Sequence, residues 1–195
     1  MVSSDYLKST CRIFIAIKPD FNTIILNAYK KLRQKLSESS INWVKEENLH
    51  ITLAFLGDIS TGILPLLEAL LIKLTVKNDS FQLTFRNFGS FGKPAPKVIW
   101  IGIDENFQLN TIQRQLNKYL NEINFEFDSK PFVPHLTLGR VKSISDINEF
   151  RNFSKEYSNQ LLHTSNIDTI VLYESLLKPE GPHYKIVNTF RFGRD

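Results

Sequence analysis

The chain has 195 residues, 42% of them hydrophobic and 23% charged, and its formal net charge is +4. This composition is typical of a soluble globular protein and excludes low-complexity and fibrous chains, while the modest positive charge excludes a polybasic nucleic-acid tail. Every apolar stretch is too short for a membrane span, and the single cysteine, Cys11, excludes an internal disulfide framework and favours a reducing cytoplasm.

The first half of the chain predicts alternating strands and helices. Short apolar or alternating runs predict strands at 11–19, 49–56 and 81–92, with a brief extended piece at 41–44. Apolar residues at helical spacing predict helices over 21–36 and about 61–76.

The second half predicts a similar series. Strands are expected at 98–103 and 132–141 and near 169–176 and 185–192, and helices at 107–123 and 145–157. No low-complexity linker separates the halves. We therefore expect an α+β fold of two pseudo-symmetric lobes, forming a single bilobal domain over 1–195.

Two predicted strands carry the same pattern, His, an apolar residue, Thr and Leu. The segment LHITLAFLGD contains His50 and Thr52, and the segment FVPHLTLGRVK contains His135 and Thr137. Because side chains alternate between the faces of a strand, each histidine shares one face with its threonine.

The same alternation makes predictions for the neighbouring residues. Ala54 and Gly139 follow on the histidine face, where a small residue would leave room for a ligand. The opposite face, towards the core, receives the remaining apolar residues: Ile51, Leu53, Phe55, Leu136 and Leu138.

Paired histidines suit acid–base chemistry at phosphorus. On opposite sides of a phosphate, one imidazole takes a proton from water while the other protonates the departing oxygen. Threonine hydroxyls and Arg140 can hold the non-bridging oxygens. Since Arg140 lies five residues after His135, an odd offset, a regular strand would turn it inwards. We therefore expect a twist or bulge at Gly139.

Other interpretations of the histidines are weaker. A single strand histidine is more often a hydrogen-bonded structural residue than a catalyst, but two copies of one pattern favour a shared function. Structural zinc takes four Cys or His ligands. This chain has four His and one Cys, with no His-x-His, HExxH or Cys pair, so we expect neither a metal site nor a cofactor.

The two segments resemble the paired His-x-Thr-x motifs of the two-histidine phosphoesterase superfamily. More narrowly, the chain resembles the RNA 2′,3′-cyclic phosphodiesterases once named 2′-5′ RNA ligases. The opening RIFIAI, the strand KVIWIGI, the segment PFVPHLTLGR and the closing YESLLKPEGPHYKIVNTFRF stand in the same order as in that family. The resemblance therefore covers nearly the whole chain.

The resemblance implies a central cleft between antiparallel sheets, lined by both motifs. It implies metal-independent hydrolysis of an RNA 2′,3′-cyclic phosphate to a 2′-phosphomonoester. His50 would be the proton donor and His135 the proton acceptor, although a pseudo-symmetric cleft permits the reverse. Thr52, Thr137 and Arg140 would bind the phosphate.

Several points stay open at the level of the sequence. Phe132 and Tyr184 are candidates to stack a nucleobase. The alternatives are a non-catalytic RNA-end binder and a cyclic phosphodiesterase for a small nucleotide metabolite or a 2′-5′ linked oligonucleotide. No membrane and no obligate protein partner are expected, and without a heptad seam we expect a monomer.

Overall fold

Nine strands and four helices are formed by residues 9–125, 127, 131–178 and 181–193, the residues that this computed structural model describes. The strands are β1 (Thr10–Ile17), β2 (Ser40–Trp43), β3 (Ile51–Ser60), β4 (Phe81–Phe91), β5 (Val98–Ile103), β6 (His135–Ser143), β7 (Leu161–Ile167), β8 (Thr169–Lys178) and β9 (Gly181–Arg191). The helices are α1 (Thr23–Lys35), α2 (Leu64–Val76), α3 (Phe107–Glu122) and α4 (Ile147–Glu156).

The strands form two antiparallel sheets with matching layouts. One sheet has the order β3-β1-β8-β9, and the other has the order β2-β6-β5-β4-β7. If β2 is set aside, each sheet places its motif strand, β3 or β6, at the edge of four strands. The predicted α+β fold with two pseudo-symmetric sheets is confirmed.

Both sheets contribute to one apolar core. The helix-facing side of β1 buries Ile13, Ile15 and Ile17 completely, and the same buried cluster contains residues of β4, β5 and β6. Helix α2 packs against β8 and β9, α3 packs against β3, and α1 and α4 pack against the second sheet. The opposite face of β1 buries Phe14 and Ala16 in a smaller cluster. This second face leads to the candidate site.

Helix starts follow simple capping chemistry. The Asn22 and Asn106 side chains accept hydrogen bonds from backbone N–H groups in the first turns of α1 and α3, and Asp146 does the same for α4. Such caps satisfy donors that the helix itself leaves without partners. The apolar stripes and these caps together explain why the predicted helices lie within a few residues of their observed bounds.

Strand β7 was not predicted. Its sequence, LLHTSNI, reads as polar and irregular, but it pairs with β4, and His163 lies opposite Phe85. The His163 Nε2–H donates to the Asp20 carbonyl at 2.7 Å, so this histidine is a satisfied strand residue. Strand β6 begins at His135 and not, as predicted, at Phe132. No helix within the described residues is both long and apolar enough to span a membrane.

Candidate active site

Two histidines are held by the same local contact. His50 immediately precedes β3, and His135 is the first residue of β6. The Nδ1 atom of His50 lies 2.7 Å from the carbonyl oxygen of Asn48, and the Nδ1 atom of His135 lies 2.7 Å from that of Val133. Since a carbonyl only accepts, each Nδ1 must carry a proton and donate it. In each ring Nε2 is therefore the nitrogen that remains for chemistry.

The electrostatic environment of the two rings is similar. Burial lowers the pKa of His50, and the charges of His135 and Arg140 lower it further. Burial also lowers the pKa of His135, again with a contribution from Arg140. Desolvation disfavours the charged imidazolium, and nearby positive charges act in the same direction. The three side chains therefore belong to one site whose free state favours neutral histidines.

Aromatic rings pack against both histidines. The His50 ring centroid lies 4.9 Å from that of Phe14 and 5.2 Å from that of Tyr184, which meets it edge-on at 89°. The His135 ring lies 4.9 Å from Phe91, also edge-on, at 87°. These contacts restrict the orientation of both imidazoles.

Strand β6 changes face between Thr137 and Arg140. Thr137 and Gly139 lie opposite consecutive residues of β5, so Leu138 is an extra residue in this strand. The insertion shifts the alternation by one position, and Arg140 is exposed on the same face as His135 and Thr137. The predicted irregularity beside Gly139 is confirmed.

The carbonyl of the extra residue Leu138 is held from two sides. It accepts a hydrogen bond from the Val44 N–H at 2.8 Å and lies 3.2 Å from the Tyr29 hydroxyl. That hydroxyl has one proton, which it donates mainly to the nearer acceptor, the Val44 carbonyl, at 2.5 Å. Burial raises the pKa of Tyr29 to about 12, so the hydroxyl stays a neutral donor. Tyr29 on α1 thus joins β2 to the bulge of β6.

Strand β3 contains the same irregularity, which the alternation argument missed. Thr52 and Ala54 lie opposite consecutive residues of β1, so Leu53 is the extra residue. Phe55 is therefore turned to the Thr52 face and is 47% exposed, whereas Ala54 is 6% exposed. The predictions that Phe55 faces the core and that Ala54 faces the ligand are wrong, because a one-residue insertion reverses every later side chain.

The small residue Gly139 serves the sheet and not the ligand. It is buried, and a Cβ atom there would come within 2.8 Å of Ile41 Cγ2 and 2.9 Å of Trp43 Cε3. Both of these contacts belong to β2. The prediction that Gly139 leaves room for a ligand is therefore wrong, because the absent side chain allows β2 to approach β6.

A groove leads away from Arg140 between the two sheets. It has a volume of about 360 Å³ and is lined by residues of β2, β6 and β9 and by the segment after β2. The lining includes Trp43, Lys45, Arg140, Lys142 and Tyr184. A second cavity of about 390 Å³ shares Lys45 and Tyr184 with it and adds Lys18. Three lysines and Arg140 line the two adjoining cavities against one acid, Glu47, so we call them together the basic groove.

The described residues do not suggest a resident metal. Within this part of the chain, no three His, Cys, Asp or Glu side chains are placed so as to hold a metal ion. The predicted absence of a metal and of a cofactor stays a prediction.

Comparison with known proteins identifies the family. The sequence model of the protein family LigT like Phosphoesterase matches this chain twice, over residues 15–100 and 101–184. The chain belongs to the LigT-like phosphoesterase family. The two matches also divide the chain so that each part contains one motif strand.

Relatives of this LigT-like phosphoesterase match over most of its length. The RNA 2′,3′-cyclic phosphodiesterase of Archaeoglobus fulgidus is 33% identical over 92% of this chain and 99% of its own. The protein of the same name from Thermotoga maritima is 32% identical over 93% of this chain and 95% of its own.

Solved structures agree on the fold. TT0787 of Thermus thermophilus has a TM-score of 0.76 at 23% identity, covering 94% of this chain and 100% of that protein. Escherichia coli LigT complexed with 3′-AMP has a TM-score of 0.74 at 21% identity, covering 95% and 100%. The predicted membership of the two-histidine phosphoesterases is confirmed.

Most predicted site residues of this LigT-like phosphoesterase come together. The His50 and Tyr184 rings are in contact, the charges of His135 and Arg140 act on His50, and both threonines lie on the histidine faces of their strands. The exception is Phe132, which packs on the core and lines a separate cavity of about 710 Å³ with residues of α3. Its role in base stacking stays a prediction to which this position adds no support.

Three residues in or next to the candidate site had not been recognised as such from the sequence. The backbone carbonyl of Asn48 orients His50. The Asn48 side chain also donates from Nδ2 to the Pro182 carbonyl at 3.3 Å. Tyr29 was recognised only as part of a helical stripe. Phe55 carried a usable signal, because it stands five residues after His50 just as Arg140 stands five residues after His135.

Proposed function

We propose that this LigT-like phosphoesterase hydrolyses RNA 2′,3′-cyclic phosphate ends to 2′-phosphomonoesters without a metal. The observation that carries the proposal is the pair of imidazoles, each tied through Nδ1 to a carbonyl and each leaving Nε2 for proton transfer. Curated relatives with this activity in their names support the choice of reaction.

Each proton in the reaction has an assigned carrier. A water oxygen attacks phosphorus while His135 Nε2 takes a proton from that water. The bond from phosphorus to the ribose 3′ oxygen breaks, and His50 Nε2 gives its proton to this oxygen. The phosphate stays on the 2′ oxygen, and the proton count balances because one histidine gains what the other loses.

The phosphate is held by donors on both motif strands. Thr52 and Thr137 offer hydroxyl groups, and Arg140 offers a planar fork with a fixed positive charge. These groups stabilise the negative charge that builds up on the non-bridging oxygens. The same anion, once bound, favours the protonated form of His50 and offsets the lowering of its pKa by burial.

The whole chain, 1–195, serves as one catalytic domain in this proposal. Both half-sites are needed for one reaction, and the two sheets share a single apolar core. A reducing, cytoplasmic location is in keeping with the buried thiol of Cys11.

The basic groove favours an RNA end over a small nucleotide. A nucleotide with a 2′,3′-cyclic phosphate extends only in the 5′ direction, so any further phosphate of the substrate lies on that side. Lys45 and Lys142 are exposed in the groove next to Arg140, and neither forms an ion pair with another described residue. They are thus available to bind the 5′ part of the RNA backbone.

A metal-free assay tests the reaction. The purified protein is incubated in EDTA with an oligoribonucleotide that ends in a 2′,3′-cyclic phosphate, and the product is identified as a 2′ or 3′ monoester. A 2′ product is expected. No turnover with either EDTA or added metal would contradict the reaction, and turnover only with metal would contradict the mechanism. Tight binding with the RNA recovered unchanged would indicate a non-catalytic RNA-end binder.

A second assay tests the substrate class. The kcat/KM for the oligonucleotide is divided by that for a nucleoside 2′,3′-cyclic phosphate, and we expect this ratio to fall about threefold to tenfold in Lys142→Gln. Lys77→Gln, at the C-terminus of α2 and outside the groove, is the matched control. A wild-type ratio near one would instead favour a small nucleotide metabolite.

A further inference from the structure

Phe55 and Arg140 occupy equivalent places in the two motif strands. Each stands two residues after the inserted leucine, Leu53 or Leu138, and each is turned to the face of its own motif threonine. Both side chains are exposed. The fold thus delivers one cation and one aromatic ring to matching positions on the two sides of the histidine pair.

Phe55 packs next to a buried aromatic residue, Phe14, that also contacts His50. Its ring lies 6.5 Å from that of Phe14, with an angle of 21° between the ring planes. Phe14 is buried and contacts the His50 ring at 4.9 Å. A phenylalanine that keeps 47% of its surface in water, while its neighbour is fixed beneath it, offers a flat apolar surface to a ligand.

The position of Phe55 matches the dimensions of one nucleotide. On the neighbouring strand β1, Thr52 lies opposite Ala16 and Phe55 lies opposite Phe14. Ala16 and Phe14 are two residues apart in the strand, so Thr52 and Phe55 are separated by about 7 Å along the strand direction. In a 2′,3′-cyclic nucleotide the base and the phosphate are attached to the same ribose. If Thr52 holds the phosphate, the base lies one ribose away from the phosphorus. That distance is similar to the separation between Thr52 and Phe55, so the base can reach the Phe55 ring.

We propose that Phe55 stacks the base of the terminal nucleotide, the one that carries the cyclic phosphate. This inference rests on the proposed function and names the binding site for the base within it. Every base has a π-face, so stacking of this kind tolerates all four bases. The phosphate is then held by the donors of both strands, and the base is held by β3.

The test compares substrates with and without a base. The kcat/KM is measured for a nucleoside 2′,3′-cyclic phosphate and for a 1-methoxyribose 2,3-cyclic phosphate, which has no base. The wild-type protein is expected to prefer the nucleoside by about tenfold or more. Phe55→Ala and Phe55→Leu should lose most of this preference, whereas Phe55→Trp, which keeps an aromatic face, should retain it.

A matched control separates stacking from general effects. Phe107→Ala removes another exposed phenylalanine, 78% exposed and outside the site, and should keep the wild-type preference. If Phe55→Ala preserved the preference, the inference would be overturned while the proposed function stood. An equal loss on both substrates would also overturn it, because the base-free substrate cannot report stacking. Failure of the wild-type protein on every cyclic phosphate would instead count against the proposed function.

Discussion

Strands β3 and β6 have the same backbone irregularity but present different side chains to the site. A histidine bound through Nδ1 to a backbone carbonyl two residues earlier immediately precedes β3 and is the first residue of β6, and each strand places a threonine on the histidine face. Each then inserts one leucine, which brings the residue at the fifth position after the histidine onto that same face. In β3 that residue is Phe55, and in β6 it is Arg140.

The surroundings of the two strands explain part of this difference. Strand β3 lies at the edge of its sheet, whereas β6 is covered on its outer side by β2. The cover brings the Val44 N–H and the Tyr29 hydroxyl to the bulge that precedes Arg140. Equivalent backbones can therefore present a cation on one side of a site and an apolar surface on the other.

The largest effect is expected where the two strands are most alike. His50→Ala and His135→Ala should each reduce kcat by about 10²–10⁴-fold, since each removes one proton carrier. Single-turnover rates on a nucleoside 2′,3′-cyclic phosphate measure the loss, and circular dichroism checks the fold. A variant that kept a rate near that of the wild type would show that the two half-sites are not both required.

Arg140 is the point at which the strands diverge most. Arg140→Gln should lower kcat/KM by about tenfold to a hundredfold, because it removes a fixed positive charge that acts on both histidines. Arg140→Lys should recover only part of the loss, since an ammonium cannot form the fork. Steady-state kinetics on the same substrate measures both variants. Full activity in Arg140→Gln would mean that the bulge in β6 serves packing alone.

The pH profile tests whether burial acts alike on the two histidines. Both pKa values are lowered, and the reaction needs one protonated and one neutral imidazole, so kcat/KM should peak below the ordinary value of about 6.5. Above the peak it should fall by up to tenfold per pH unit. The bound phosphate anion raises both pKa values, so the kcat profile should lie at higher pH. A kcat/KM that rose from pH 6.5 to 8 would contradict this assignment.

Substitution of Tyr29 should have a smaller effect on activity, and this effect should act through β6 alone. Tyr29→Phe removes a buried hydroxyl and should lower the free energy of unfolding by about 1–2 kcal/mol. It should also raise KM about threefold, because the bulge that orients Arg140 loses the hydroxyl that lies between the Leu138 and Val44 carbonyls. Any shift of the pH profile should be smaller than in Arg140→Gln, which removes the charge that lowers the pKa of both histidines.

Two controls separate positioning by Tyr29 from loss of stability. In an Arg140→Gln background, Tyr29→Phe should have no further effect on KM, because both changes act through the same guanidinium. Leu32→Val, on the same helix and fully buried, should lower stability without changing KM. Additive effects of Tyr29→Phe and Arg140→Gln on KM would contradict a positioning role.

The sequence predicted the fold well where apolar spacing is local. The helices and most strands follow from repeats of 3.6 or two residues, and the paired motifs indicated one shared cleft. Strand β7 was missed because its pairing with β4 is non-local and its own residues are largely polar. A strand whose hydrogen bonds come from a distant segment leaves little periodic signal.

The site was predicted only as far as strand alternation allowed. The odd offset of Arg140 required a bulge, and this prediction was correct. Applied to Phe55, the same reasoning would have placed that ring outside the core, but an apolar residue gave no reason to question the regular pattern. The contacts of Tyr29 and Asn48 depend on segments that meet only after folding.

The division of labour between the two strands has a direct test. The substrate is a nucleoside 2′,3′-cyclic phosphate in which sulfur replaces the 3′ bridging oxygen, and single-turnover rates are compared for wild type, His50→Ala and His135→Ala. A thiolate, whose acid has a pKa of about 8.5, leaves without help from a general acid. Sulfur should therefore restore His50→Ala to within about tenfold of the wild-type rate and leave His135→Ala impaired. Rescue of His135→Ala instead, or of neither variant, would contradict the assigned roles.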